Sequence, residues 1–93
     1  MIRWTEHASV DVVGIARWIA ADDPAAADRV ADAIFIAVMR LEGFPLSGRL
    51  GCVLETRELV VSGLPYLVVY RIEASSVVIL RVLHGAMQWP ESL

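Results

Sequence analysis

Apolar residues recur every three to four positions over the first half of this chain and crowd into short β-type runs over the second. From Glu6 onward, Ala8, Val12, Ile15, Ala16 and Ile19 mark one face of a helix, with Thr5 as its N-cap. The helix stops near Ala21, where Asp22-Asp23-Pro24 intervenes. Asp23 reads as the N-cap of a second helix and Pro24 as its first residue, a position where the missing N–H would be unbonded anyway. Val30, Ile34, Ala37, Val38 and Leu41 form its apolar stripe, and Gly43 and Pro45 end it. A connection this short predicts an antiparallel helical hairpin. Ile2 to Trp4, ahead of it, reads as a short extended start.

Residues 44–51 (Phe-Pro-Leu-Ser-Gly-Arg-Leu-Gly) read as a loop. Leu54 to Ser62, Tyr66 to Glu73 and Val77 to His84 then read as strands, divided by the turns Gly63-Leu64-Pro65 and Ala74-Ser75-Ser76. Consecutive strands with tight turns predict an antiparallel meander. The predicted fold is α+β: an N-terminal strand and a helical hairpin packed on a three- to four-stranded antiparallel sheet, in one domain spanning 1–93. Both alternating sets of the last two strands are mostly apolar, Val68, Tyr70 and Ile72 against Leu67, Val69 and Arg71, for example. One hairpin covers one face of a sheet. The far face is therefore expected to leave apolar surface and arginines for a partner, and the isolated chain to self-associate or dissolve poorly. The competing arrangement roofs the far face with another part of the chain; the Gly-rich loop argues against a helix there.

Composition sharpens this picture. A chain of 93 residues buries only about two-thirds of its unfolded surface, which makes it a marginal folder on its own. One cysteine excludes an internal disulfide, and Cys52, His7 and His84 fall at no metal-ligand spacing, so no metal and no cofactor is expected. Apolar residues make up 57%, yet the longest uninterrupted apolar run is Ala33 to Met39, far short of a membrane span. No signal-peptide stretch precedes His7, and the lone thiol fits a reducing compartment; a cytoplasmic protein is expected. All eight cations are arginine, and the net charge is −3. Without a basic stripe, direct specific DNA binding by this chain is not expected.

Three groups of side chains carry candidate chemistry. Arg57, Arg71 and Arg81 fall on successive strands, where they either form a cluster for an acidic partner or pair with Glu55, Glu58 and Glu73. His84 ends the last strand and either acts on a target or fixes the turn to Gly85; the second reading is adopted because no second catalytic group accompanies it. Trp89, before Pro90, either anchors a partner or packs into the core, the commoner fate of a tryptophan; Trp4 and Trp18 read as core or interface packing. Cys52 lacks an adjacent base and reads as a plain thiol.

Several separated motifs occur together in order: Pro45, Gly48, Arg49 and Gly51; Arg57-Glu58-Leu59; Tyr66 with Val69-Tyr70-Arg71; and His84-Gly85-Ala86 with Trp89-Pro90. On these the chain resembles the RelE/ParE toxin superfamily, and its ParE-like branch in particular, over nearly its whole length. The resemblance implies the toxin of a type II toxin–antitoxin pair. Its expected partner is a cognate antitoxin, a small DNA-binding protein of ribbon-helix-helix or similar type that wraps it in a hetero-oligomer. ParE-like members inhibit DNA gyrase, whereas RelE-like members cleave mRNA on the ribosome. Metal-free RNA cleavage needs a base, an acid and cations for the phosphate. Lysine is absent, Leu67 stands where such nucleases tend to carry arginine, and no Tyr or His follows His84. The reading is therefore a gyrase-directed binder rather than an enzyme, with the endoribonuclease as the alternative. Candidate residues for target or antitoxin are Arg49, Arg57, Tyr70, Arg71, Arg81, His84, Met87 and Trp89. Met87 departs from the family, which commonly has arginine there, so an inactive interaction module stays open as a third reading.

Overall fold

The computed structural model describes residues 1–85. Its elements are β1 (Ile2–Trp4), α1 (Glu6–Ala20), α2 (Pro24–Arg40), β2 (Arg49–Leu50), β3 (Arg57–Val60), β4 (Tyr66–Glu73) and β5 (Ser76–His84). Both helices start where local chemistry dictates. The Thr5 hydroxyl accepts the Ala8 N–H at 3.1 Å, and the Asp23 carboxylate accepts the Ala26 N–H at 3.1 Å. Each bond satisfies one of the N–H groups that a first helical turn leaves without a partner.

The fold is α+β, with two helices on one sheet, as expected. The sheet is wider than expected and mixed. Its order is β1-β5-β4-β3-β2, and β1 runs parallel to β5, with Ile2 opposite Val77. The long first strand of the predicted meander is also shorter, because Leu54 and Glu55 lie in a turn. Glu55 takes a left-handed φ of 67°, which no ladder accommodates, and the Thr56 hydroxyl closes back on the Val53 carbonyl at 2.5 Å. Two residues of the supposed loop, Arg49 and Leu50, instead pair with Glu58 and Arg57.

The main core lies between helices and sheet. Ala8 and Val12 of α1 and Ile34 and Val38 of α2 meet Val68, Tyr70, Val77, Ile79 and Val82 of the sheet, all buried. The far face does not match the expectation of an open apolar layer. Val69, Val78, Leu80 and Leu83 form a second cluster, and each is at most 9% exposed in the isolated chain. Apolar surface lies elsewhere instead, on the outer side of the hairpin and on the 44–54 segment.

Candidate partner-binding surface and its anchoring residues

β1 ends opposite Ile79, so among the described residues no strand lies beside the outer edge of β5 from Leu80 onward. The start of α1 takes that place. The Thr5 N–H bonds the Ile79 carbonyl at 3.0 Å, the Thr5 hydroxyl bonds the Leu80 carbonyl at 3.0 Å, and the Val82 N–H bonds Asp11 Oδ2 at 2.9 Å. A bulge at Leu80, between the pairs Val69–Arg81 and Tyr70–Ile79, turns this stretch toward α1. Arg81 then meets Asp11 in a two-pronged ion pair, Nε to Oδ2 at 2.7 Å and Nη2 to Oδ1 at 3.0 Å. Both side chains are under one-fifth exposed. The pair, with burial opposing it, holds the Arg81 guanidinium above its already high ordinary pKa. Arg81 thus joins helix to sheet and is not part of an open arginine cluster.

Tyr70 anchors the opposite end. Its ring is fully buried, and its phenol donates to the Pro45 carbonyl at 2.7 Å while accepting the Gly48 N–H at 2.9 Å. Burial pushes the phenol pKa up, against the lowering effects of the Gly48 bond and the Arg57 charge. The Arg57 guanidinium donates to the Gly48 carbonyl at 2.8 Å. A Cβ on residue 48 would sit 2.6 Å from the phenol oxygen and 2.9 Å from the Glu58 carbonyl, so only glycine allows this approach. Tyr70 and Arg57 are therefore the clamps that fold the 45–48 segment onto the sheet.

The remaining arginines divide. Arg71 pairs with Glu73 two residues along the same strand at 2.6 Å, in water, as one of the two sequence alternatives proposed. Arg49 pairs across the sheet edge with Glu58, which is 5% exposed rather than solvated. Both Arg49 Nε and Nη2 lie 3.0 Å from the same oxygen, Oε1, and Glu58 Oε2 is buried with no hydrogen bond. Arg57 faces the helices and Arg71 the far side, by their register with Tyr70 and Val78, so the structure does not bring Arg57, Arg71 and Arg81 together. His84 is half-buried, its ring edge-on to Tyr66 at 5.5 Å, while the Gly85 N–H bonds the Pro65 carbonyl at 2.6 Å, consistent with a turn-fixing place. Met87 and Trp89 lie outside the described residues. Among the described residues no group of three or more His, Cys, Asp or Glu is placed to hold a metal, and no helix is long and apolar enough to cross a membrane.

Sequence reasoning missed two things here. Asp11 lies three residues after Ala8 and four before Ile15, on the edge of the apolar stripe; an acid at that spacing signals a buried partner. It also missed where the apolar surface lies. Val10 and Val13 of α1, Ile36 and Met39 of α2, and Phe44 and Leu54 beyond them are exposed. Trp18, read as core or interface packing, is 76% exposed and so is not in the core. Trp4 does pack, edge-on to Phe35 at 5.5 Å.

Three comparisons bear on this arrangement. Residues 2–89 match the family model described as the ParE toxin of the type II toxin–antitoxin system parDE. A relative described as "Putative toxin Y4kP", from Sinorhizobium fredii (strain NBRC 101917 / NGR234), is 46% identical over 92 residues, covering 99% of this chain and 95% of its own length. The solved structure "Chromosomal ParDE TA system from P. aeruginosa" is similar in fold, with a TM-score of 0.80 at 23% identity, over 89% of this chain and 92% of that one. With its helical hairpin on a mixed sheet and a family match over nearly its full length, the chain belongs to the ParE toxin family of type II toxin–antitoxin systems.

Proposed function

We propose that this toxin acts by binding DNA gyrase in the cytoplasm and is silenced by a cognate antitoxin of ribbon-helix-helix or similar type. The observation that carries this reading is how the candidate groups are used. Tyr70 and Arg81, a phenol and a cation among the candidate residues, are committed to the fold: the phenol to Pro45 and Gly48, the guanidinium to Asp11. Apolar side chains, by contrast, are presented outward along the hairpin and the 44–54 segment. Exposed apolar rows rimmed by charge are what partner surfaces look like. The absence of lysine and the net charge of −3 also disfavour a polyanion substrate.

The test is a pair of assays on one preparation. Purified chain is titrated into gyrase relaxing and supercoiling a plasmid, and separately into ribosomes programmed with mRNA. Supercoiling should fall and be restored by the antitoxin encoded beside this chain, with the mRNA left intact. Cut mRNA with normal supercoiling would replace this reading with the endoribonuclease. No effect in either assay, and none after Met87→Arg, would leave the inactive interaction module.

A further inference from the structure

On one side of the sheet the two-residue β2 covers only part of β3, and the rest of β3 is margin. The Val61 N–H bonds the Tyr66 carbonyl at 3.0 Å, so Val61, Leu59 and Arg57 point their backbone groups at β4. Glu58 and Val60 therefore point theirs the other way. Glu58 has β2 opposite it, through Arg49. The β2 pairing stops there, because Ser47, next in register opposite Val60, turns its N–H to the Phe44 carbonyl at 3.1 Å instead. Val60 is left with an N–H and a carbonyl facing outward, and no strand among the described residues pairs with it. Its β-branched side chain is 52% exposed. Bare edges of this kind are unusual, because they invite pairing with another chain.

A groove runs beside that edge. Two adjoining hollows, of about 260 and 180 Å³, separate the second half of α2 from β3 and share Ala37, Arg40 and Ser62. Ile36 lines one and Phe44 the other, both largely exposed. The one charge in this lining is Arg40. It makes no ion pair or side-chain hydrogen bond among the described residues, whereas Arg49, Arg71 and Arg81 each have a carboxylate. Its position in the last turn of α2 suits the helix dipole, but that role needs no groove.

We propose that β3 accepts an extended segment of the antitoxin as a sixth strand. The segment bonds Val60 through its backbone, places alternate apolar side chains in the groove, and sets a carboxylate on Arg40. This deepens the proposed function and rests on it for the identity of the partner. The backbone edge selects an extended segment over a helix, since a helix has no free backbone groups to offer. The one cation in a mostly apolar lining selects an acid flanked by aliphatic residues, and the pair forms at the exposed rim of the groove.

The probe is the antitoxin encoded beside this chain, purified with the full-length toxin. Amide exchange of the Val60 N–H should slow by roughly tenfold or more in the complex. Arg40→Glu should weaken binding by about tenfold or more, Arg40→Lys by less, and Arg17→Glu, on the other helix, should leave it unchanged. A complex that forms with Val60 unprotected, or that is indifferent to Arg40→Glu, overturns the sixth strand and leaves the toxin reading standing. Protection of Val60 that grows with toxin concentration in the absence of antitoxin assigns the edge to a second copy instead, and overturns the partner. Failure of any complex to form overturns both readings.

Discussion

Two arginine–carboxylate pairs tie this sheet to its surroundings, and they are built differently. In Arg81–Asp11 both carboxylate oxygens are used, one of them also by the Val82 N–H, and both side chains are mostly withdrawn from water. In Arg49–Glu58 two guanidinium nitrogens crowd one oxygen, the other oxygen is buried without a partner, and Arg49 is 65% exposed. The residue types are nearly the same. The difference is whether the geometry satisfies every buried polar atom, and that decides whether a buried ion pair stabilises or merely persists. The first pair also spans 70 residues of sequence and replaces a missing strand, whereas the second joins neighbouring strands.

The largest effect should therefore come from Asp11. Asp11→Ala leaves the Arg81 charge and the Val82 N–H unpaired, at a cost of about 2–4 kcal/mol, after allowing for the partial exposure of both side chains. Asp11→Asn keeps one acceptor for the backbone and should lose less. Urea unfolding monitored by tryptophan fluorescence reads both, and a loss below about 0.5 kcal/mol for the alanine variant would sink the contrast.

The same contrast explains what was legible in the sequence. Thr5, Asp23 and Pro24 announced the helices because capping is local, and Tyr66 to Glu73 announced its strand because turns bracket it. Asp11 was not read as a partner of Arg81, nor β1 as a parallel neighbour of β5, because both depend on contacts some 70 residues apart. Glu58 was read only as one of two alternatives, an ion-pair partner for the strand arginines, and nothing local in the sequence signals that it is 5% exposed with Arg49 across the sheet edge. The far face was read as bare because alternation reports which residues share a face, not what lies against it.

Tyr70 tests whether the segment that carries Arg49 is itself held in place. Tyr70→Phe leaves the Gly48 N–H and the Pro45 carbonyl without their partner, and should cost about 1–3 kcal/mol. The sign with pH follows from burial. The folded phenol titrates above its ordinary value near 10, so its contribution is complete below that value and is lost as pH rises through the folded pKa. Stability should fall above about pH 10 in the parent. It should fall less in the Phe variant, and ultraviolet absorbance of the folded parent should show one phenol ionising late. Identical alkaline unfolding of the two proteins would remove Tyr70 as the clamp.

The Arg49–Glu58 pair should respond in the opposite sense to the Arg81 pair. Glu58→Met removes the unpartnered buried oxygen and is expected to be neutral or stabilising, by up to about 1 kcal/mol. Arg49→Ala strands the carboxylate and should destabilise by about 1 kcal/mol, reduced from the fully buried case because Arg49 is well solvated. The double variant should recover that loss, and a thermodynamic cycle on the four proteins measures it. If Glu58→Met costs as much as Asp11→Ala, the orphaned oxygen has no bearing on stability and the comparison fails.

Arg71–Glu73 supplies the lower limit. At 2.6 Å it is as short as any ion pair among the described residues, yet both side chains are at least 40% exposed. Separation alone would rank it beside Arg81–Asp11. Solvent screening ranks it last, because water already satisfies both groups and the long arginine side chain must be held still to make the contact. Arg71→Ala should change stability by less than about 0.5 kcal/mol, and 1 M salt should erase what difference there is. A loss comparable to that of Asp11→Ala, insensitive to salt, would mean that distance and not satisfaction of buried atoms governs these pairs.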